Sequence, residues 1–235
     1  MLKVNFKYNI KKDAWSWVYI AQGEKNKWGM DFQKRVAPIP QNILEKILKT
    51  DKKSAELLVY KYLTLNFKRK MHQLVIDKQL KALDEIWKKI GSKYFKRLEK
   101  ITQKPIFWKD FGCYLTTGNM CPYNPKEKWF MVSMWHSICA SITAICHEIF
   151  HLQFLHYYGD YCRKFLSEQQ KEDLKEAITF ILNTDFNDLL ICKDNGYPNH
   201  QELRKKLKSI WLKNKNFKRF LDKAIKMTKK YGKNN

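Results

Sequence analysis

Two histidines and a glutamate stand in the order His147-Glu148-Ile149-Phe150-His151 near the middle of a long apolar run. In an α-helix, residues four apart lie one above the other on the same face, so the two imidazoles would project together. Two imidazoles in this arrangement can bind one Zn²⁺. Glu148 lies about 100° round the helix from His147, where it could take a proton from a water that the metal holds. The pattern therefore predicts metal-assisted hydrolysis.

A catalytic zinc usually takes three protein ligands and a water, so a third ligand must come from another part of the chain. The expected helix runs about 10 Å beyond His151, and Glu176 lies about 13 Å along the next helix, counted from its start at Ser167. If the two helices are antiparallel, Glu176 returns to the height of His151. Glu176 is therefore the favoured third ligand. The alternatives are Glu172, Asp173, His156 and Asp160.

The His-Glu-x-x-His pattern resembles that of the zincin superfamily of zinc metallopeptidases. Metzincins would continue with a glycine and a third histidine, but Phe154 and Tyr157 stand at those two positions, so that class is rejected. The segment Glu176-Ala177-Ile178-Thr179 is similar to the ligand-bearing E-A-I-S segment of thermolysin-type gluzincins. In those enzymes an aspartate that supports a ligand histidine follows, whereas this chain has Phe180. A supporting carboxylate must come from elsewhere or be absent.

The resemblance implies a gluzincin-like zinc metallopeptidase that acts on a peptide or protein substrate. Zn²⁺ would be held by His147, His151 and Glu176, with Glu148 as general base. Gluzincins often use a tyrosine or a histidine to donate to the developing oxyanion, and His200 and Tyr197 are the candidates here, although a capping role for His200 and a packing role for Tyr197 are the competing interpretations. A different class also fits: a non-catalytic or regulatory zincin-like domain that binds a protein or nucleic-acid partner through its basic surface.

The elements around the motif follow from residue patterns. Aromatic and β-branched runs over residues 111–117 and 129–134 predict two strands joined by a long turn, just before the motif helix. The second strand would pair with an extended substrate, or the two would form a plain structural hairpin. The motif helix would end at Gly159-Asp160. A capping box at Ser167 to Gln170 predicts the start of the next helix, which would end near Asn183.

The first hundred residues predict one strand and then helices. Residues 2–10 alternate apolar and polar side chains, as a half-buried strand does. Residues 41–101 carry three helical apolar patterns, the third ended or interrupted by Gly91. Pro105 is the best place to divide the chain, which gives an N-terminal strand and helical region at 1–104 and a zincin-like metal-site region at 105–235, although both could belong to one domain. The predicted class is α+β, mostly helical, with a small sheet ahead of the motif helix.

Composition limits the other possibilities. The formal net charge is +23, with 46 lysines and arginines against 23 aspartates and glutamates, and almost all of the positive charge is lysine. Specific recognition of nucleic acid favours arginine, so loose attraction to polyanions is the stronger expectation. Ionisable side chains inside the apolar run predict a buried core helix rather than a membrane span. We see no signal peptide at the N-terminus and expect a cytoplasmic protein with six reduced cysteines.

Overall fold

A computed structural model describes residues 2–25, 27–66 and 70–231. The described residues form an α+β fold that is mostly helical and contains a small four-stranded sheet, so the predicted fold class is confirmed. The elements are β1 Lys3–Tyr8, α1 Ile10–Gln22, α2 Phe32–Val36, α3 Gln41–Leu48, α4 Lys52–Asn66, α5 Lys70–Thr102, β2 Asp110–Thr116, β3 Tyr123–Asn124, β4 Trp129–Ser133, α6 Ile138–Arg163, α7 Glu168–Ala177, α8 Ile181–Asp185, α9 Gln201–Lys213 and α10 Phe217–Tyr231.

The sheet has the strand order β1-β2-β4-β3. Strands β1, β2 and β4 are parallel, and only the short β3 runs antiparallel to its neighbour β4. The two predicted strands are present as β2 and β4, but their parallel pairing rules out the plain hairpin, which was one of the two alternatives. Parallel strands cannot be joined by a tight turn, and residues 117–128 make the return connection and contribute β3. Strand β3, not β4, is the edge strand on this side of the sheet, so an extended substrate that pairs with this edge would pair with β3.

Helix α6 carries the motif and forms the centre of the molecule. The Ser137 side chain caps its first turn by accepting a hydrogen bond from the Ala140 N–H. The predicted end at Gly159-Asp160 was wrong, because the helix continues to Arg163. A glycine inside a helix costs about 1 kcal/mol, and burial of Tyr158 and Cys162 on either side offsets that cost. By length and composition α6 could cross a membrane, but 67% of its most apolar window is buried inside the protein.

Helix α5 lies in the same hydrophobic core as α6 and the sheet. It continues through Gly91, where an interruption had been expected. A Cβ at this position would come within 2.8 Å of the Trp87 indole nitrogen, so glycine gives the indole its space. Strand β1 and helix α5, both from residues 1–104, thus share a sheet and a core with elements that follow Pro105. Helices α1 to α4 build a second buried cluster.

The predicted capping box is present at the start of α7, where Ser167 and Gln170 exchange side-chain and backbone hydrogen bonds. The helix is shorter than expected. It ends at Ala177, and a 3₁₀ turn at Ile178–Phe180 leads into α8. Helix α7 packs against α6, which brings its buried C-terminal residues Lys175 and Glu176 to the motif.

The fully buried carboxylate of Asp13 joins α1 to the sheet. It accepts hydrogen bonds from the Tyr8 hydroxyl, the Thr116 hydroxyl, and both the backbone N–H and hydroxyl of Thr117, at distances of 2.7 to 2.9 Å. These donors come from β1, from β2 and from the residue after β2. One carboxylate therefore fixes the position of α1 against the strands that precede the motif helix.

We predict that Asp13→Ala lowers the free energy of unfolding by about 3 kcal/mol, because several buried donors lose their acceptor at once. Urea unfolding followed by circular dichroism measures this change. Asp77→Ala removes an exposed carboxylate from α5 and should change the free energy of unfolding by no more than about 0.5 kcal/mol. Equal stability of the two variants would show that the Asp13 network does not hold α1 in place.

Candidate metal centre

Three buried side chains from two helices converge on one point. His147 and His151 project from the same face of α6, with their ring centroids 4.1 Å apart. Glu176, near the end of α7, places its Oε2 atom 3.3 Å from His147 Nε2 and 3.4 Å from His151 Nε2. The candidate ligand atoms of these residues all lie within 4.8 Å of one another.

These distances fit a divalent cation. Two ligand atoms at about 2.0–2.1 Å from one tetrahedral ion lie about 3.3–3.4 Å from each other. Neither His151 Nε2 nor Glu176 Oε2 has a hydrogen-bond partner among the described residues, although both atoms are buried. Leaving such groups unpaired in the interior costs several kcal/mol. The donor set of two imidazoles and a carboxylate could therefore hold a metal ion.

Glu148 is buried beside this cluster, with its Oε2 atom 3.6 Å from His151 Nδ1. Burial raises the pKa of Glu148 to about 8 in the metal-free protein. The charge of Glu176 also raises this pKa, whereas the charge of His147 lowers it. A carboxyl group whose pKa lies close to neutrality can both accept and return a proton. Glu148 also lines two cavities that meet at the cluster, so its carboxylate borders space that a substrate can occupy.

Asp194 supplies the supporting carboxylate that the sequence left unassigned. It lies in the loop between α8 and α9, and its Oδ1 atom is 3.0 Å from His147 Nδ1. This contact fixes the ring so that Nε2 faces Glu176. Burial opposes the negative charge, but His147 and Arg204 keep the pKa of Asp194 well below its usual value. No fixed spacing relates Asp194 to the motif. The one signal in the sequence was Phe180, which stands where gluzincins have the supporting aspartate, so that a supporting carboxylate had to come from elsewhere or be absent.

Arg204 on α9 connects the Asp194 loop to the end of α7. Its Nη2 atom donates to the Asp194 backbone carbonyl at 2.6 Å and to the Asp194 carboxylate at 3.0 Å. Its Nη1 atom donates to the Thr179 hydroxyl at 2.7 Å and to the Glu176 carbonyl oxygen at 3.2 Å. One buried guanidinium thus positions both the third candidate ligand and the carboxylate that orients the first.

Lys175 fixes the other oxygen of Glu176. Its fully buried ammonium lies 2.8 Å from Glu176 Oε1 and 2.9 Å from Glu172 Oε2, and it donates to the Tyr123 hydroxyl at 2.7 Å. Glu176 Oε1 is therefore engaged, and Oε2 is directed at the two imidazoles. Glu172 is paired with Lys175 and also lies 3.3 Å from Lys171, so this alternative ligand is occupied by lysines.

The remaining candidates are separated from the cluster. His200 pairs with Asp173 at 3.1 Å, and its ring lies behind that of Tyr197, with 5.9 Å between the ring centroids. Tyr197 lines both cavities together with Glu148. His156 is exposed and stacks on Phe107 with 4.4 Å between ring centroids. Of the two proposed oxyanion donors, Tyr197 borders the cavities and His200 supports it from behind.

Comparison of the chain with protein-family models, with curated proteins and with solved structures gave no match. The function is therefore argued from the geometry of the site.

We predict that Asp194→Asn weakens zinc binding by about 10- to 100-fold, because His147 loses the charged partner that orients its ring. Burial alone lowers the pKa of His147, but Asp194 and Glu176 outweigh it and raise that pKa to about 10 in the metal-free protein. Zinc must displace this proton, so binding to the wild-type protein tightens as the pH rises from 7 towards 10. Without the Asp194 charge, the His147 pKa falls and fewer protons are released at pH 7.5.

Titration calorimetry in two buffers of different ionisation enthalpy measures both the zinc affinity and the proton release. Asp173→Asn is the matched control, because it alters a second histidine–aspartate pair that does not touch the candidate ligands. If Asp194→Asn and Asp173→Asn bind zinc with the same affinity and proton release as the wild type, Asp194 has no part in the metal centre.

Proposed function

We propose that this protein is a zinc-dependent peptidase whose ligands are His147, His151 and Glu176 and whose general base is Glu148. The observation that carries the proposal is the convergence of three buried ligand atoms at the separations that a tetrahedral ion needs, next to a buried glutamate. This arrangement is the one that the His-Glu-x-x-His pattern and the gluzincin-like segment at Glu176 led us to expect.

When bound, zinc supplies a Lewis acid that polarises the scissile carbonyl and lowers the pKa of a water. Glu148 accepts the proton of the attacking water and then returns it to the leaving amine. Tyr197 borders the same space and can donate its hydroxyl hydrogen to the oxyanion that develops on the carbonyl. Asp194 orients His147, and Lys175 and Arg204 hold Glu176.

A peptide substrate fits the surroundings of the site. The larger cavity is also lined by residues 120–123, 125, 126 and 128, a segment that includes Tyr123 of the two-residue edge strand β3. An edge strand presents backbone N–H and C=O groups that can pair with an extended chain, and such pairing binds many sequences. The cavity on this side has a volume of about 520 Å³, which accommodates several residues of a polypeptide.

The formal net charge of +23 favours a second candidate, a zincin-like domain that binds a protein or nucleic-acid partner without cleaving it. This alternative shares the metal centre, so zinc binding does not separate the two functions. Turnover separates them, because only a peptidase needs Glu148 as a base.

We predict that Glu148→Gln retains zinc and reduces peptidase activity by at least about 1,000-fold, because the amide cannot accept the proton of the attacking water. Cleavage of a quenched fluorescent peptide library by the zinc-loaded protein, with zinc content measured in parallel, provides the test. Turnover by the Glu148→Gln variant at the wild-type rate would remove Glu148 from the mechanism. Absence of cleavage by the wild type with zinc bound would favour the non-catalytic alternative.

We predict that His151→Ala and Glu176→Ala each weaken zinc binding by more than about 100-fold. This loss exceeds the one expected for Asp194→Asn, because Asp194 only orients a ligand. His156→Ala changes an exposed histidine on the same helix and should bind zinc as the wild type does. Metal content after dialysis and competition with a chromogenic chelator measure these affinities. Normal zinc binding by Glu176→Ala would assign the third ligand to another residue.

A further inference from the structure

Two cavities that share lining residues lie beside the candidate metal centre, and together they are called the groove. A cavity of about 520 Å³ and a second of about 350 Å³ lie on either side of Glu148, and Met120, Cys121, Glu148 and Tyr197 line both. The face of α6 forms the floor of both cavities, from Ala140 in the second to Arg163 in the first. These 23 positions of helix correspond to about 34 Å. The groove therefore extends on both sides of the reacting position.

The segment around β3 also lines the larger cavity, through Pro122, Tyr123 and Pro125.

Four cationic side chains and three glutamates line the larger cavity; the glutamates are Glu148, Glu172 and Glu176, which belong to the candidate metal centre or pair with its lysines. Arg163 and Lys171 line the cavity, and both are paired with Glu168. Lys126 and Lys128 line the opposite wall, and within residues 2–25, 27–66 and 70–231 neither forms an ion pair. The ammonium of Lys128 lies 4.5 Å from the centre of the Trp108 ring, a contact that holds the charge at the rim.

The smaller cavity has a different character. Ala140, Ala144 and Met30 line it, and Lys193 supplies its one lysine. Four cationic side chains therefore line the larger cavity, against one in the smaller cavity. An extended chain in the groove would meet Lys126 and Lys128 on one side of the reacting position and Lys193 alone on the other.

We infer that the groove takes an internal segment of an extended polypeptide with acidic side chains at the Lys126 and Lys128 end, which makes the protein an endopeptidase for acidic sequences. The inference rests on the proposed peptidase function and adds the substrate class. Two lysines at the rim attract carboxylates both during encounter and in the bound state. A groove that continues on both sides of Glu148 admits chains whose ends lie outside it.

The test uses zinc-loaded protein and quenched twelve-residue peptides that differ only in three residues on one side of a fixed central sequence. These residues are glutamate, glutamine or lysine, placed before or after the centre. Lys126→Glu/Lys128→Glu reverses the two rim charges. Lys205→Glu/Lys208→Glu is the matched control, since it reverses two exposed lysines on α9 that line neither cavity.

At low ionic strength we expect kcat/KM to be about tenfold higher for the glutamate peptides than for the lysine peptides. This preference should appear only when the three residues stand on one side of the fixed centre, and the ratio should shrink with added salt. The Lys126→Glu/Lys128→Glu protein should invert the preference, and the control should keep it. Equal kcat/KM for the three peptides, or an unchanged preference after the reversal at Lys126 and Lys128, would overturn the inference and leave the peptidase proposal intact.

Binding separates the two proposals further. Fluorescence anisotropy with the zinc-loaded Glu148→Gln protein measures Kd for the glutamate and lysine peptides without cleavage. Tighter binding of the glutamate peptide, together with no turnover by the wild type, would support the acidic groove and refute the peptidase. Equal Kd values, or complete displacement of the glutamate peptide by an equal concentration of single-stranded oligonucleotide, would refute the acidic polypeptide as occupant.

Discussion

The structure depends on the burial of two imidazoles and a carboxylate in the middle of an apolar helical core. His147, His151 and Glu176 are all nearly inaccessible to solvent, and ionisable groups are removed from water at a cost of several kcal/mol each unless they are paired. A divalent cation between them, as we propose, would turn that cost into ligand bonds. The rest of the site can be understood as the set of contacts that keeps three ligand atoms directed at one point.

Those contacts come from three separate elements. Helix α6 is fixed by the core that it shares with α5 and the sheet, so the two histidines have little freedom. Arg204 and Lys175 hold the C-terminal end of α7. Arg204 donates a hydrogen bond to the Glu176 carbonyl oxygen, and the Lys175 ammonium pairs with one Glu176 carboxylate oxygen. The Asp194 loop is bound to the same arginine and orients His147. The charges alternate in sign across the cluster, so each buried charge has an opposite neighbour.

The sequence could predict what local periodicity determines, and it failed where distant contacts decide. The spacing of His147 and His151, the capping box at Ser167 and the return of Glu176 to the same height follow from helix geometry, and the structure brings those side chains together. Strand direction does not follow from a local pattern, so the sequence could not rule out the hairpin alternative that the parallel pairing of β2 and β4 excludes. Gly159 did not end its helix, because tertiary packing outweighs helix propensity. Asp194 approaches His147 only because of the tertiary fold. The one hint in the sequence was that Phe180 stands where thermolysin-type gluzincins have the supporting aspartate.

The first hundred residues, whose role the motif did not reveal, are built into the site. Tyr19 of α1 lines the larger cavity, and the Trp28 ring lies 4.7 Å from the Tyr197 ring and 5.7 Å from the Lys175 ammonium. Trp28 has a φ of 56°, a conformation that is uncommon for a bulky residue and is kept only where the surroundings require it. The surroundings here are the aromatic wall that covers Lys175 and supports Tyr197. The N-terminal region therefore contributes Tyr19 and Trp28 to the wall of the larger cavity, beside the groups that we propose to react.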